Sequence, residues 1–314
     1  MQTIAILGAG LMGHGIAQVF AGAGHPVRLH DQDHAVLASA PERIRANLAP
    51  FVELGLVAAD QVDPLLARVQ LCPDLASLCQ GADLVIEAIS ENLELKRRVF
   101  AALEALVPAG TVLASNTSAI SIGKIAQGLA LPGRVLGTHF WNPPQVVPCV
   151  EVIQGPQSDP AVLEAVTALL TAVGKRPVRV NKDIPGFLGN RMQHALWREA
   201  IALVEQGVAS PEDVDAVVRY GFGLRLAYLG PLQTADLAGL DLTRDIHQDL
   251  LPELDCSQGP SPILEQKVRA GNLGAKAGQG FHAWTPESLR AVVDNRDKVL
   301  LKILREVLPA GGQA

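Results

Sequence analysis

The apolar positions of this chain keep two different rhythms. Through its first part, short apolar runs at 3–7, 26–30, 83–88, 111–115, 134–138, 149–153 and 177–180 alternate with stretches at 12–22, 43–54, 61–69, 93–106 and 159–173 whose apolar residues recur every three or four positions. Short runs bounded by turn residues suit strands buried on both faces, and the wider spacing suits helices packed across them. Such alternation predicts a doubly wound α/β sheet. Gly174 closes the last of these helices. Beyond Gly186 the strand signal fades and long helical patterns follow, at 190–206 and 210–220 among others. Ser210 is placed to cap the second, with Pro211 at its first position and Glu212 and Asp213 in a first turn that favours negative charge. The chain therefore reads as a sheet domain over 1–184 and a smaller all-helical domain over 185–314, with a frayed tail at 309–314.

Length and composition narrow the function classes. At 314 residues the chain exceeds one ordinary core, and 48% apolar against 18% charged residues describes a well-packed globular protein. A net charge of −6 without Lys/Arg clusters argues against a nucleic-acid partner, because a phosphate-backbone binder needs clustered cations. Cys72, Cys79, Cys149 and Cys256 have neither Cys-x-x-Cys nor Cys/His metal spacing and are too few for a disulfide framework. No metal is expected, and a reducing cytoplasm fits best. The apolar stretch 4–24 lacks a basic leader and is punctuated by glycines, so neither a signal peptide nor a membrane-spanning helix is expected.

Those glycines carry the first piece of chemistry. Gly8-Ala9-Gly10-Leu11-Met12-Gly13 follows a predicted strand and opens a predicted helix, where G-x-G-x-x-G lets backbone N–H groups approach a pyrophosphate. The pattern gains weight from Asp31, eighteen residues past Gly13 at the end of the second strand, where a carboxylate can bind a ribose hydroxyl. Gln32 and Asp33 follow, with no adjacent cation for a 2′-phosphate, so a Rossmann-type domain binding NAD rather than NADP is expected. Arg28, the nearest base, reads as a solvated strand residue.

Hydride transfer to such a cofactor needs a base for the hydroxyl proton. His139 stands out among eight histidines because it ends a predicted strand at the carboxyl edge of the sheet. Glu151 lies on the next strand, and a carboxylate that accepts from one ring nitrogen fixes the tautomer and leaves the other nitrogen free. By spacing alone, a loop-capping histidine and an exposed strand glutamate explain the two residues as well.

Four segments, in this order and spacing, resemble the L-3-hydroxyacyl-CoA dehydrogenase family over essentially the full length. They are the glycine motif, Ser115-Asn116-Thr117-Ser118, the block from His139 through Asn142-Pro143 to Glu151-Val152-Ile153, and Pro185-Gly186-Phe187-Leu188-Gly189-Asn190-Arg191. Gly230-Pro231-Leu232, Asp236-Leu237-Ala238-Gly239-Leu240-Asp241 and Gly274-Ala275-Lys276-Ala277-Gly278-Gln279-Gly280-Phe281 also resemble the family's helical domain. The resemblance implies NAD-dependent oxidation of a 3-hydroxy to a 3-keto group, with His139 as general base, Glu151 orienting it, and Ser118 and Asn190 bonding the reacting oxygen or a substrate carbonyl. Without it, Ser118 reads as a turn serine and Asn190 as a helix-start asparagine. Glu91 and Asn142 resemble positions near the nicotinamide and its ribose, with Lys96 at helical distance from Glu91; Asn116, Leu11 and Met12 join them as cofactor residues. Glu91 and Asn92 also suit a helix start. The resemblance further implies a homodimer through the helical domain.

The chain departs from members acting on CoA thioesters, which carry a lysine near the turn of the sheet domain's helical arm and a Met-Lys pair before the glutamate. Here the turn reads Phe51-Val52-Glu53-Leu54-Gly55-Leu56 and the approach reads Val147-Pro148-Cys149-Val150. The run 221–231 looks more like relatives acting on free acids, such as gulonate 3-dehydrogenase and carnitine dehydrogenase. Within it, Arg225 is suited to holding a carboxylate through two parallel hydrogen bonds, or else to a helix–helix ion pair. Trp141 and Pro144 replace residues of the common His-Phe-Phe-Asn-Pro run and imply a remodelled substrate pocket, as in a related pyridine-carboxylate dehydrogenase. Two enzyme readings result: a dehydrogenase of a free gulonate-, carnitine- or aromatic-acid-like hydroxy carboxylate, slightly favoured, and a 3-hydroxybutyryl-CoA type dehydrogenase. An inactive NAD-binding structural or regulatory protein is the third, set against the retention of His139, Glu151, Ser118 and Asn190.

Overall fold

One eight-stranded sheet organises the first part of the chain. Its strands are β1 (Ile4–Leu7), β2 (Val27–His30), β3 (Val69–Leu71), β4 (Leu84–Glu87), β5 (Val112–Ser115), β6 (Val135–Phe140), β7 (Cys149–Ile153) and β8 (Arg176–Val180), in the order β3-β2-β1-β4-β5-β6-β7-β8. Neighbours pair parallel except β6 and β7, which run antiparallel with His139 opposite Glu151. Between the strands run α1 (Leu11–Gly22), α2 (His34–Ala38), α3 (Ala40–Glu53), α4 (Val62–Leu66), α5 (Leu75–Cys79), α6 (Leu93–Leu106), α7 (Ile122–Ala126) and α8 (Pro160–Ala172). Successive side chains of a strand point to opposite faces. Accordingly, Ile4 and Ile6 pack with Ile16, Phe20 and Ile44 of α1 and α3, while Ala5 and Leu7 pack with Phe100 and Leu103 of α6.

The computed structural model describes residues 1–307, so the tail at 309–314 lies outside the described residues. The chain divides into two compact units, Met1–Arg191 and one beginning at Met192. The division lies beyond the 184/185 junction expected from the sequence and falls inside α9 (Gly189–Glu205). Residues 185–191 join the first unit because their backbone is tied to β7, as described below.

Two sequence expectations need correction. The stretch read as a helix over 61–69 ends its helix at Leu66, and Val69–Leu71 forms the edge strand β3 against β2. Arg28 is half-buried rather than solvated, because α5 covers that part of β2 and the guanidinium donates to Ser77 O at 2.5 Å.

The second unit continues with α10 (Pro211–Tyr220), α11 (Phe222–Leu226), α12 (Pro231–Ala238), α13 (Leu240–Leu250), α14 (Pro262–Arg269) and α15 (Pro286–Val307). The all-helical expectation holds, with only isolated bridges at Gly274, Gln279 and Ala283 among its described residues. Ser210 caps α10 as expected, its Oγ accepting from Asp213 N at 3.1 Å. Many large apolar side chains of this unit are exposed, Leu224, Tyr228, Leu232 and Leu237 among them. No helix among the described residues is long and apolar enough to cross a membrane.

Candidate active site

The turn from β1 into α1 is shaped by missing side chains. Gly8 has φ +99, and a Cβ there would lie 2.5 Å from Ala88 O; a Cβ on Gly13 would collide with the carbonyl of Gly8. Gly8 is needed for the turn to lie against the end of β4, and Gly13 for α1 to close on the turn. Gly10 differs, since a Cβ there would meet nothing within 4 Å, and it starts α1 with no side-chain cap. The first N–H groups of the helix therefore remain available to an anion. Asp31, at the end of β2, accepts from Ala9 N at 2.7 Å and from Asp33 N at 2.9 Å, which fixes the glycine turn to the neighbouring strand.

These groups border a cavity of about 290 Å³ lined by Gly8, Gly10, Asp31, Ala88, Ile89 and Leu95, at the point where the strand order reverses between β1 and β4. Ligands of open α/β sheets bind at such a switch point. Open space at a glycine, an uncapped helix N-terminus and a carboxylate at the next strand end fit a dinucleotide. Leu11 is exposed beside the turn and Met12 is half-buried. Behind the turn, Arg43 of α3 donates to Ala9 O at 2.7 Å and to Val36 O at 2.8 Å, and contacts His14 Nδ1 at 3.1 Å. Burial, and less strongly the Arg43 charge, hold the His14 pKa low despite a bond to Gly10 O. Nothing in the local sequence around residue 43 marks this support.

His139 and Glu151 meet across the antiparallel β6–β7 pair, Nδ1 donating to Oε2 at 2.7 Å. Glu151 is 2% exposed, so it is not the solvated strand residue that spacing alone allowed. Burial would raise its pKa, but the hydrogen bond from His139, the N–H groups of Gly189 and Leu188, and the His139 charge bring it below the ordinary value. Those two N–H groups reach Oε1 at 3.0 and 2.8 Å. They converge because Gly186 and Phe187 adopt φ of +74 and +50 in succession, a left-handed conformation uncommon for a bulky residue. The resulting concavity of N–H groups receives the carboxylate. Phe187 is buried, with its ring 5.9 Å from that of His139; the sequence reading included it in the 185–191 segment without giving it a role. No protein group among the described residues hydrogen-bonds Nε2 of His139.

A second network supports the loop after β5. Glu91 Oε1 accepts from Thr117 Oγ1 at 2.5 Å, Ser118 N at 3.0 Å and Ala119 N at 3.1 Å. Burial raises the Glu91 pKa, while Thr117, Lys96 and Ala119 lower it to a value below the usual one. Lys96 is 1% exposed and is shared between Glu87 at 2.7 Å and Glu91 at 3.3 Å. What reaches the edge is therefore Glu91, with Lys96 beneath it. Glu87, buried at the end of β4, also accepts from Ser115 Oγ at 2.6 Å. Asn92 caps α6 through Leu95 N at 2.9 Å, so Asn92 rather than Glu91 serves as the helix start.

Asn190 Nδ2 donates to Ser118 O at 2.9 Å, which closes a chain of contacts from Glu91 through Ser118 and Asn190 to the Glu151 turn. Ser118 and Asn142 are exposed, and Asn116 accepts from Phe140 N at 2.8 Å, tying β5 to β6. The Trp141 ring lies 5.3 Å from that of His139, and its indole fills the space that a Cβ on Gly189 would need. The structure thus brings His139, Glu151, Ser118, Asn190, Glu91, Asn116 and Trp141 together within the first unit. Arg225 lies in the second unit, exposed on α11 and without an ion pair among the described residues. Glu87 was missed by sequence reading, its one available signal being an acid ending the apolar strand 84–87, and Thr117 entered only as part of the 115–118 segment, without a role.

Comparisons with known proteins agree with this architecture. Residues 3–184 match the model described as 3-hydroxyacyl-CoA dehydrogenase, NAD binding domain, and residues 186–284 match 3-hydroxyacyl-CoA dehydrogenase, C-terminal domain. The chain is 36% identical over 307 residues to 5-formyl-3-hydroxy-2-methylpyridine 4-carboxylate 5-dehydrogenase of Mesorhizobium japonicum, covering 97% of this chain and 98% of that protein. It is 39% identical over 283 residues to a probable 3-hydroxybutyryl-CoA dehydrogenase of Bacillus subtilis, covering 90% and 97%. A solved structure of the pyridine-carboxylate enzyme, described as an NAD+ dependent dismutase, is similar with a TM-score of 0.92 at 34% identity, covering 98% and 99% of the two chains. The (S)-3-hydroxybutyryl-CoA dehydrogenase of Ralstonia eutropha is similar with a TM-score of 0.76 at 34% identity, covering 91% and 99%.

Proposed function

The chain belongs to the 3-hydroxyacyl-CoA dehydrogenase family, NAD-dependent oxidoreductases acting on CH–OH groups, and within it we propose that this protein oxidises the hydroxyl of a small free carboxylate. The observation that carries the chemistry is the 2.7 Å bond between His139 Nδ1 and buried Glu151. It holds the ring as the tautomer whose Nε2 is basic, and Nε2 takes the hydroxyl proton. Glu151 then stabilises the imidazolium. When bound, NAD supplies the hydride acceptor. Ser118 Oγ and the Asn190 amide bond the substrate oxygen as its charge develops, while Glu91 keeps the Ser118 backbone in place. Trp141 provides a wall of the pocket.

The free-acid reading is supported by Arg225, whose guanidinium has no ion pair among the described residues and suits bidentate binding of a carboxylate. It is supported also by the full-length similarity to an enzyme whose name specifies a carboxylate. A CoA-thioester substrate is the second reading, favoured by 39% identity to a probable 3-hydroxybutyryl-CoA dehydrogenase. NADH absorbance with 3-hydroxybutyryl-CoA, 3-hydroxybutyrate, gulonate, carnitine and an aromatic hydroxymethyl carboxylate separates the two. Turnover of a free acid with KM raised about tenfold or more by Arg225→Ala is expected, the loss of a charged hydrogen-bonding pair. Efficient turnover of the thioester, indifferent to that substitution, would restore the second reading. The proposal includes a cytoplasmic homodimer paired through the exposed apolar residues of the helical unit, checked by light scattering.

A further inference from the structure

Lys175 is a buried cation held by neutral groups. It follows the turn closing α8, where Gly174 takes φ +83, and only 5% of it is exposed. Its backbone N–H donates to Leu170 O at 2.9 Å, while Nζ donates to the carbonyls of Pro144 and Val147, the latter at 2.9 Å. No carboxylate pairs with it among the described residues. Burying an ammonium on neutral acceptors is unfavourable. Burial accordingly lowers its pKa from 10.5 to about 8, with Cys149 acting in the opposite sense.

Both carbonyls belong to the loop between β6 and β7, and therefore between His139 and Glu151. Trp141 and Asn142 open that loop, and Val146 and Val147 N–H both turn back to Pro143 O, at 3.0 and 2.9 Å. Its other side meets the dinucleotide helix, since a Cβ on Gly15 of α1 would lie 2.6 Å from both Pro144 Cγ and Gln145 Oε1. We propose that Lys175 is a positioning residue whose ammonium clamps the 141–148 loop against α1, setting Trp141 and Asn142 relative to the nicotinamide end of the cofactor. It acts through the loop backbone and touches neither substrate nor cofactor. The inference rests on the assignment of Asn142 to the nicotinamide end and is independent of which substrate is oxidised.

Charge is essential to the clamp, because hydrogen bonds from an ionised donor are roughly twice as strong as those from a neutral amine. From β7 the Cys149 thiol acts on Lys175, and Glu151 acts on that thiol; from the loop and α8 only backbone carbonyls bond it. Burial and the Glu151 charge raise the Cys149 pKa above its ordinary value, so Lys175 loses its proton first as pH rises. The clamp weakens with that loss.

The test reads binding rather than turnover. NADH affinity, by fluorescence titration of the full chain, is compared with ADP-ribose affinity, by competition, for wild type, Lys175→Met and Lys175→Gln below and above the lysine transition. ADP-ribose retains the pyrophosphate and lacks the nicotinamide, so it reports the glycine turn. Wild type should bind NADH more weakly above the transition, and Lys175→Met should bind it about tenfold more weakly at neutral pH with that pH dependence gone, while ADP-ribose binding stays unchanged. Lys175→Gln should fall between them, since it keeps a neutral donor. Wild-type NADH affinity and pH profile persisting in Lys175→Met would overturn the proposal, as would equal weakening of both ligands. Should the variants fail to fold, a wild-type NADH affinity that is flat across the transition overturns it alone. Turnover does not enter, so failure of the free-acid reading leaves the result intact.

Discussion

The two sides of the sheet's carboxyl edge are built by opposite means. At the turn from β1 into α1 the site is defined by absence: no Cβ at Gly8 or Gly13, open space at Gly10, and N–H groups without a cap. Beside β6 and β7 it is defined by buried charge, with Glu151 enclosed by an imidazole and two N–H groups and Lys175 set on two carbonyls. The difference follows from the tasks proposed for the two regions. A ligand that brings its own charge needs space and fixed dipoles, whereas moving a proton needs side-chain charge, and charge in a dry setting must be held by further polar groups.

The largest expected break in this comparison is His139→Ala. It should lower kcat by about 10²- to 10⁴-fold, the usual contribution of a general base, with NADH affinity by fluorescence unchanged. A parallel loss of affinity would mean that the two sides are not separable. The next effect is on stability. Lys175 titrates at about 8 in the folded chain against 10.5 ordinarily, so between these values the unfolded chain binds the proton more tightly. A cation whose pKa falls on folding costs stability below the folded value, and that cost disappears as pH rises toward the unfolded one. At about 1.4 kcal/mol per unit, the cost is on the order of 3 kcal/mol. Urea unfolding of wild type and Lys175→Met should show their difference moving in favour of wild type by that amount as pH rises from about 8 to 10.5.

The smallest effects sharpen the glycine side. Gly13→Ala should destabilise the fold by about 1–3 kcal/mol through overpacking, read by thermal melting. Gly10→Ala meets no protein atom within 4 Å. It should leave stability within about 0.5 kcal/mol of wild type yet weaken NADH binding about tenfold; unchanged binding would show that the open space is not used by the cofactor.

What the sequence revealed follows the same division. The glycine turn and Asp31 were legible because their spacing is local, and His139 and Glu151 because each sits on a strand that pattern alone locates. The burial of Glu151 was not legible, since it depends on the left-handed turn at Gly186 and Phe187, which reaches it from more than thirty residues away. The Lys175 clamp stayed hidden for a similar reason, its carbonyl partners lying about thirty residues away, whereas Glu91 and Lys96 were singled out and only their partner Glu87 was missed. The edge strand β3 was lost to a different cause: three residues contain no measurable period, and Val62, Leu66 and Val69 carry helical spacing past the true helix end.

The indole of Trp141 occupies the place of a side chain at position 189, and the backbone N–H at 189 supports the catalytic-edge carboxylate Glu151. These two positions are therefore not free to change in either order. A larger residue at 189 is closed to drift while the indole is present, but a smaller residue at 141 opens both. At this pair, position 141 has to shrink before 189 can grow, and once the vacated space is filled from 189, reinstating the indole is barred. The interlock works as a historical ratchet on this pair of positions.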